Sequence, residues 1–507
     1  GRDMSVEVVE EHYGGNPVYE DRSFSDLPLG NETDVLLEKD GFDEPEAGGK
    51  LSIFNPNSPV FRFNMMVCAC LLTFGSYYCY DIPGAITNSM IEAYDISQLQ
   101  YTLYYSVYSL PNVILPLCGG WIVDRVFGVR LGGMLFCSLV LVGQLIWAGG
   151  SVFLTTNPTT AYYIGLVGRF VFGLGGESLS VTQSAYLAKW FSGKELNLAF
   201  GITLSFSRIG SAINFLVSPA IDESLGVAAL LWFGAALCLI SVAACLGLAF
   251  LDLRGERQTG KTFAEQEKIA IGDIRYFPLS YWLVVFVCVT FYISIFSFIT
   301  ISSAFFQHRF GFSQSQADHI TSIPYILAAF ISPVAGFIVD KVGYCMFWVM
   351  GAAFYMSLSH LTLSVTPGTA HWVPYLAVIV IGTSYSICAA SLWPAVALLV
   401  KNKELGTAYG MMTSVQNTGL FIAPLIVGSI SNDPLHPNYN TVEGLFFIVA
   451  GVSCLLCFLL ILIDLRKGDK RILTLPAKET QRRQEARLAQ EIADDKEKKA
   501  EALRVNE

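Results

Sequence analysis

Lys194-Glu-Leu-Asn-Leu-Ala-Phe-Gly201 comes back in the second half of the chain as Lys403-Glu-Leu-Gly-Thr-Ala-Tyr-Gly410. The register holds beyond both stretches, with Ser205 answering Ser414 and Gly210 answering Gly419. A second pair keeps the same order, because Gly120-Trp-Ile-Val-Asp-Arg-Val-Phe-Gly128 is echoed by Gly336-Phe-Ile-Val-Asp-Lys-Val-Gly343. Each copy stands beside long apolar runs. The chain therefore reads as one helical unit written twice in parallel, an arrangement that places a solute site between the halves near mid-membrane.

The runs themselves define the unit. Of the 507 residues, 53% are hydrophobic and only 15% charged, more apolar surface than a soluble chain can hide. Stretches of about 20 apolar residues, the length that crosses a bilayer, fall near 62–82, 101–123, 131–153, 161–188, 196–220 and 226–252. Six more fall near 278–303, 316–339, 344–366, 373–400, 405–430 and 442–465. The expected fold is an all-α membrane protein with twelve transmembrane helices in two six-helix bundles. Residues 61–252 form the first bundle, 253–277 a polar linker and 278–466 the second. Residues 1–60, acidic and without periodicity, read as a disordered tail. Residues 467–507, charged and helix-prone, read as a solvated tail.

Basic residues orient the chain. Arg125, Arg130, Lys189, Lys194, Arg254, Lys341, Lys401, Lys403 and Arg466 all fall in connections of one side, and Arg309 is the exception on the other. Both tails and the linker are thus expected in the cytosol. The net charge of −10 does not point to a basic partner, since much of the acid lies in the tails. The 12 cysteines lie within apolar runs, without Cys-x-x-Cys or Cys/His spacing, and read as packing residues rather than as metal ligands or disulfides. No cofactor is expected, and nothing resembles a catalytic triad or a phosphate loop. The opening residues are polar and acidic, unlike a signal peptide.

Two charges stand inside the runs. Glu177 lies within Leu166–Ser180 and Arg208 within Phe200–Ile213. An ionised group near mid-bilayer costs roughly 3 kcal/mol on insertion scales, so it is expected to face a partner, a cavity or a substrate. An acid and a base together suit a ligand that carries both charges. A guanidinium is the best match for a carboxylate, which assigns Arg208 to that end and Glu177 to an ammonium. The alternative is a Glu177–Arg208 salt bridge that locks two helices. In the repeat register Arg208 corresponds to Asn417, so the halves share a scaffold but not a charge.

Gly120-x-x-x-Asp124-Arg125-x-x-Gly128-x-Arg130 resembles the signature between helices two and three of the major facilitator superfamily, and Gly168-Arg169 through Gly176 resembles its helix-four motif. Within it the chain is most similar to the lysosomal dipeptide transporters. Tyr78-Cys-Tyr-Asp-Ile-Pro83, Gly168–Ser178, Gly193–Asn197, Ser207-Arg-Ile-Gly210, Leu392-Trp-Pro394, Gly406-Thr-Ala-Tyr-Gly410 and Gln416-Asn417 carry that likeness, which spans about 60–465. The resemblance implies alternating access and passive export of dipeptides from the lysosome. It also implies a glycosylated single-pass lysosomal membrane protein as partner. In agreement, the one proline-free Asn-x-Ser/Thr sequon, Asn31-Glu-Thr33, lies on the tail expected in the cytosol.

The resemblance places Trp393 and Asn417 on cavity helices. Tyr80, Tyr105, Tyr292 and Tyr325 are further candidates for substrate contact, with packing or interfacial anchoring as the alternative for each tyrosine. Asp124, Arg125, Arg130, Asp340 and Lys341, at cytosolic helix ends, are candidates for an ion-pair gate, with plain positive-inside topology as the alternative for the bases. Asp81 before Pro83 is a candidate gate or proton residue. Phe63–Tyr80 carries no carboxylate and His360 is the main titratable group in a second-half helix, which favours a uniporter over proton symport. Glu32-Thr-Asp-Val-Leu36-Leu37 has the form of an acidic dileucine signal for a clathrin adaptor, on the lysosomal route. A carrier for another organic solute and a non-transporting scaffold or sensor stay open as alternatives.

Overall fold

The computed structural model describes residues 58–116, 128–191, 193–259, 271–400, 405–432, 438–484 and 486–487. Helices begin where the sequence supplies caps. Ser58 accepts from the Val60 amide ahead of α1 (Pro59–Tyr80), with Pro59 in its first turn. The kinked segment that follows contains α2 (Ile82–Ala85) and α3 (Thr87–Tyr94). A capping box of Ser97 and Gln100 opens α4 (Gln98–Ser109). Then come α5 (Gly128–Gly150), α6 (Pro158–Trp190), capped by Asn157, and α7 (Gly193–Thr259). The second half holds α8 (Leu279–Phe310), α9 (Gln314–Val342), α10 (Cys345–Val365), α11 (Val373–Leu399), α12 (Leu405–Ile430) and α13 (Tyr439–Arg466). Ser313 and Gln316 form a second capping box at α9.

Ten described helices are long and apolar enough to cross a membrane. One of these, α7, contains two crossings. Its backbone leaves the helix at Gly226, where φ is 83°, a value that favours glycine. A side chain on Gly75 of α1 would meet Leu237, and one on Gly210 would meet Phe74. Residues 210 and 237 thus lie at one level of α1, so the chain reverses between them. The remaining crossing is represented by α4, whose described part is short. Twelve helices in two bundles result.

Within the first half α5 packs on α6 and α1 on α7; within the second, α10 packs on α13 and on α11, and α9 on α11. The halves meet along α4 with α12 and α7 with α9. The α5–α6 contact is close because Gly143 lacks a side chain. A Cβ there would fall on the Phe172 amide nitrogen and 2.6 Å from the Gly168 carbonyl oxygen, both backbone atoms that cannot swing away. Such small-residue contacts hold membrane helices together. Gly143→Ala is expected to lower the apparent melting temperature by several degrees, an overpacking cost on the order of 1–3 kcal/mol. Gly149→Ala, on the same helix with nothing within 4 Å of the added carbon, is the control and should be near neutral. Thermal unfolding followed by size-exclusion fluorescence compares the two.

Part of the segment expected to be solvated is packed. The buried Asp464 carboxylate accepts hydrogen bonds from the amides of Ile472, Leu473 and Thr474 and from the Thr474 hydroxyl. Leu473 and Leu475 are buried. Residues 471–476 run back beside Gly343–Cys345, joined by Tyr344 N to the Leu475 oxygen at 2.7 Å. Alternating apolar residues among charges carry this turn, and overall charge had hidden it.

Candidate functional site

Most side-chain hydrogen bonds between the halves gather at one end, apart from the Ser205 hydroxyl, which donates to the Ala329 carbonyl (2.9 Å) near the middle of α9. Asn88 donates to Gln307 (3.1 Å), Ser89 to Gln314 (3.4 Å), the Leu99 amide to Asn432 (3.2 Å) and Tyr101 to the Thr300 carbonyl (2.9 Å). Apart from Thr300, which lies deeper in α8, these residues lie near the turns α3–α4 and α8–α9 or at the end of α12. Deeper in, the Tyr325 hydroxyl donates to Asp81 at 3.0 Å, again across the halves. This end is sealed.

Beyond the seal lies a cavity of about 460 Å³ between the halves, within the usual size range for small-molecule sites. The first half lines it with Tyr77, Tyr80 and Asp81 at the end of α1, Tyr108, Glu177 and Ser180 of α4 and α6, and Arg208 of α7. The second half contributes Tyr292 and Phe296 of α8, Tyr325 of α9, Tyr385 and Trp393 of α11, and Thr413 and Gln416 of α12.

Glu177 and Arg208 both face this space, and no ion pair joins them among the described residues. Glu177 is half-buried, and its one described partner is the Tyr108 hydroxyl at 3.5 Å. Arg208, also half-buried, lies over the rings of Tyr77 (5.8 Å) in its own half and Tyr385 (5.2 Å) in the other. Ring faces attract a cation without using up its N–H donors. A base and an acid thus keep free hydrogen-bonding capacity toward one cavity. Opposite them, Trp393 donates to the Tyr292 hydroxyl at 2.7 Å, and Tyr292 packs edge-on against Tyr385.

Arg169 supports this wall from behind. It is fully buried and not among the lining residues. Pro83 has no N–H for the carbonyl of Cys79, four residues earlier, so the end of α1 is left with unpaired acceptors. The Arg169 guanidinium takes up the Cys79, Tyr80 and Tyr104 carbonyls, each at 3.2 Å. Its carbon lies 5.3–5.6 Å from the rings of Tyr80, Tyr105, Tyr108, Trp147 and Phe172. It ties α1, α4 and α6 together about two helical turns before Glu177.

Six of the substrate candidates line the cavity, Glu177, Arg208, Tyr80, Tyr292, Tyr325 and Trp393, and so does Asp81, the gate or proton candidate. Two do not. Tyr105 lies behind Tyr80, edge-on at 5.5 Å. Asn417 is buried and returns its amide to the Thr413 carbonyl of its own helix at 3.0 Å, while its neighbour Gln416 reaches the cavity. Among the gate candidates, Arg130 pairs within its own half with Asp252 and Glu256. Asp340 and Lys341 are exposed and form no ion pair with a described residue. Asp124 and Arg125, and the motif Glu32, Leu36 and Leu37, lie outside the described residues. His360 is not alone, since its Nδ1 lies 2.8 Å from the buried Glu443 carboxylate.

Arg169, Asp81 with Tyr325, Gln416 and Glu443 were missed as partners or lining. Arg169 lies eight residues before Glu177 in the same apolar run, and the cost of a buried charge singles it out equally.

Residues 66–424 match the Major Facilitator Superfamily. The chain belongs to that superfamily. It is 40% identical to the lysosomal dipeptide transporter MFSD1 of Danio rerio, over 82% of this chain and 88% of that protein. Its identity to the lysosomal dipeptide transporter MFSD1 of Homo sapiens is 38%, over 84% and 91%. Among solved structures, the D-xylose-proton symporter superposes with a TM-score of 0.63 at 14% identity, covering 78% of this chain and 97% of that one. Like the superfamily at large, these relatives are transporters and not enzymes. The sealed end and the cavity behind it are features of a superfamily member with its two bundles closed on one side.

Proposed function

We propose that this protein exports dipeptides from lysosomes by alternating access, with Arg208 binding the substrate carboxylate and Glu177 its ammonium. One observation carries this reading: an acid and a guanidinium line the same cavity between the halves and leave each other free. A dipeptide offers both charges, and the aromatic remainder of the wall tolerates varied side chains. The similarity to the MFSD1 transporters of Danio rerio and Homo sapiens supports the substrate class and the compartment. In this reading the sealed end is lumenal, the protein is a multi-pass lysosomal protein with cytosolic termini, and the cavity serves release to the cytosol. Glu32, Leu36 and Leu37 would engage a clathrin adaptor, and a glycosylated single-pass partner would shield lumenal loops that carry no sequon. We further propose uniport, because α1 carries no carboxylate before Asp81 at its end, which is engaged by Tyr325, and His360 is engaged with Glu443 outside the cavity.

The test is uptake into proteoliposomes loaded with a pH-sensitive dye. Labelled dipeptides of varied side chain are expected to enter, free amino acids to enter at least tenfold more slowly, and vesicle pH to stay constant. Equal uptake of free amino acids defeats the dipeptide assignment. A substrate-driven pH change defeats uniport.

A further inference from the structure

The sealed end contains a buried carboxyl group without a cationic partner. Asp318, in the second turn of α9, is completely buried, and neither carboxylate oxygen has a hydrogen-bond partner among the described residues. The Ser303 hydroxyl of α8 beside it accepts from the Gln307 amide at 3.1 Å, which leaves its own O–H as a neutral donor toward the carboxyl. The charged groups whose field acts on it are Asp222 and Glu223 of α7, both acids and both from the other half. Asp222 in turn lies beside Ser89 of α3 and Gln314 of α9, the pair that helps join the halves. No basic side chain is among the groups acting on Asp318.

Closure at this end therefore does two unfavourable things to an ionised Asp318. It removes water from both oxygens, which costs several kcal/mol for an unpaired charge. It also brings carboxylates of the two halves together, and like charges in a dry interface repel. A neutral acid avoids both costs. We propose that Asp318 is a proton-binding site through which acidity on this side of the membrane closes this end of the transporter. The proton comes from the compartment that the open end faces and returns there on reopening. No net proton crosses the membrane, so the device is compatible with uniport. It rests on the alternating-access reading but not on the identity of the solute.

The sign follows from linkage. The closed state holds the proton, whereas the open state returns the carboxyl to water, where the charged form is favoured. The closed-to-open ratio therefore rises as pH falls, on the order of tenfold per pH unit at most for one proton, wherever the closed state binds the proton and the open state does not.

The experiment uses the full-length protein in nanodiscs, with non-natural amino acid labels at Glu92 and Thr369, exposed positions of opposite halves near the seal. The distance between them is followed from pH 7.5 to 5, with and without dipeptide. The wild type is expected to close as pH falls, and Asp318→Asn, the isosteric mimic of the neutral acid, to stay closed with less than a twofold change in the ratio. Asp222→Asn, which removes one facing charge, should close at higher pH than the wild type and keeps the test available if the first variant folds poorly. The proposal is overturned if Asp318→Asn titrates like the wild type. It is also overturned if dipeptide moves the labels while pH does not. A distance that responds to neither overturns alternating access itself.

Discussion

Dipeptide uptake is expected to fall by about two orders of magnitude when Arg208 is replaced by alanine. Truncating one partner of a buried, hydrogen-bonded charge pair costs about 2–5 kcal/mol, and the substrate carboxylate is left in a largely aromatic cavity with no other base lining it. Arg208→Lys restores the charge but not the paired donors, so it should recover only part of the loss. Glu177→Gln has a smaller effect, roughly tenfold, since a neutral amide oxygen still accepts from an ammonium but without the charge. Modified substrates separate binding from folding. A dipeptide amide lacks the carboxylate, and the wild type should reject it, whereas Arg208→Ala should carry it as poorly as the parent dipeptide. An N-acetyl dipeptide lacks the ammonium and should distinguish Glu177→Gln in the same way. Unchanged uptake in both variants, or a uniform loss without this pattern, removes the clamp.

The twelve crossings were legible because each obeys local rules of length and apolarity, and the repeat at Lys194 and Lys403 ordered them without help from packing. Glu177 and Arg208 were legible for a related reason: a charge inside an apolar run is costly wherever the run folds. Pairings across helices were not. Asp81 meets Tyr325 over a separation of 244 residues, and nothing local to either marks the other. Glu443 lies near the start of an apolar run, where an acid is unremarkable until His360 is found beside it. Asn417 shows the limit of register. It occupies the position that repeats Arg208, yet a short amide can bond its own helix where a long guanidinium extends into the cavity. The packed turn at Leu473 and Leu475 was obscured because charge averaged over forty residues dilutes two buried leucines.

Arg169→Lys is expected to lower uptake at least as strongly as Glu177→Gln, although Arg169 does not line the cavity. Its guanidinium bonds the Cys79 and Tyr80 carbonyls at the end of α1, where Pro83 removes a helical donor, and the Tyr104 carbonyl of α4. A lysine ammonium is a single point and cannot span three acceptors on two helices. Each buried acceptor then left unpaired costs about 1–3 kcal/mol, so the apparent melting temperature should fall by several degrees. The functional effect should be one-sided. Arg169 packs against Tyr108 and Tyr80, and Tyr108 is the described partner of Glu177, whereas Arg208 is held by Tyr77 and Tyr385 elsewhere in the cavity. Loosening the first wall therefore weakens discrimination against N-acetyl dipeptides and leaves discrimination against dipeptide amides near the wild-type value. A merely structural role would lower both together. The split between the two substrate ends, measured on the fraction of protein that remains folded, decides whether Arg169 positions the acid or only supports the bundle.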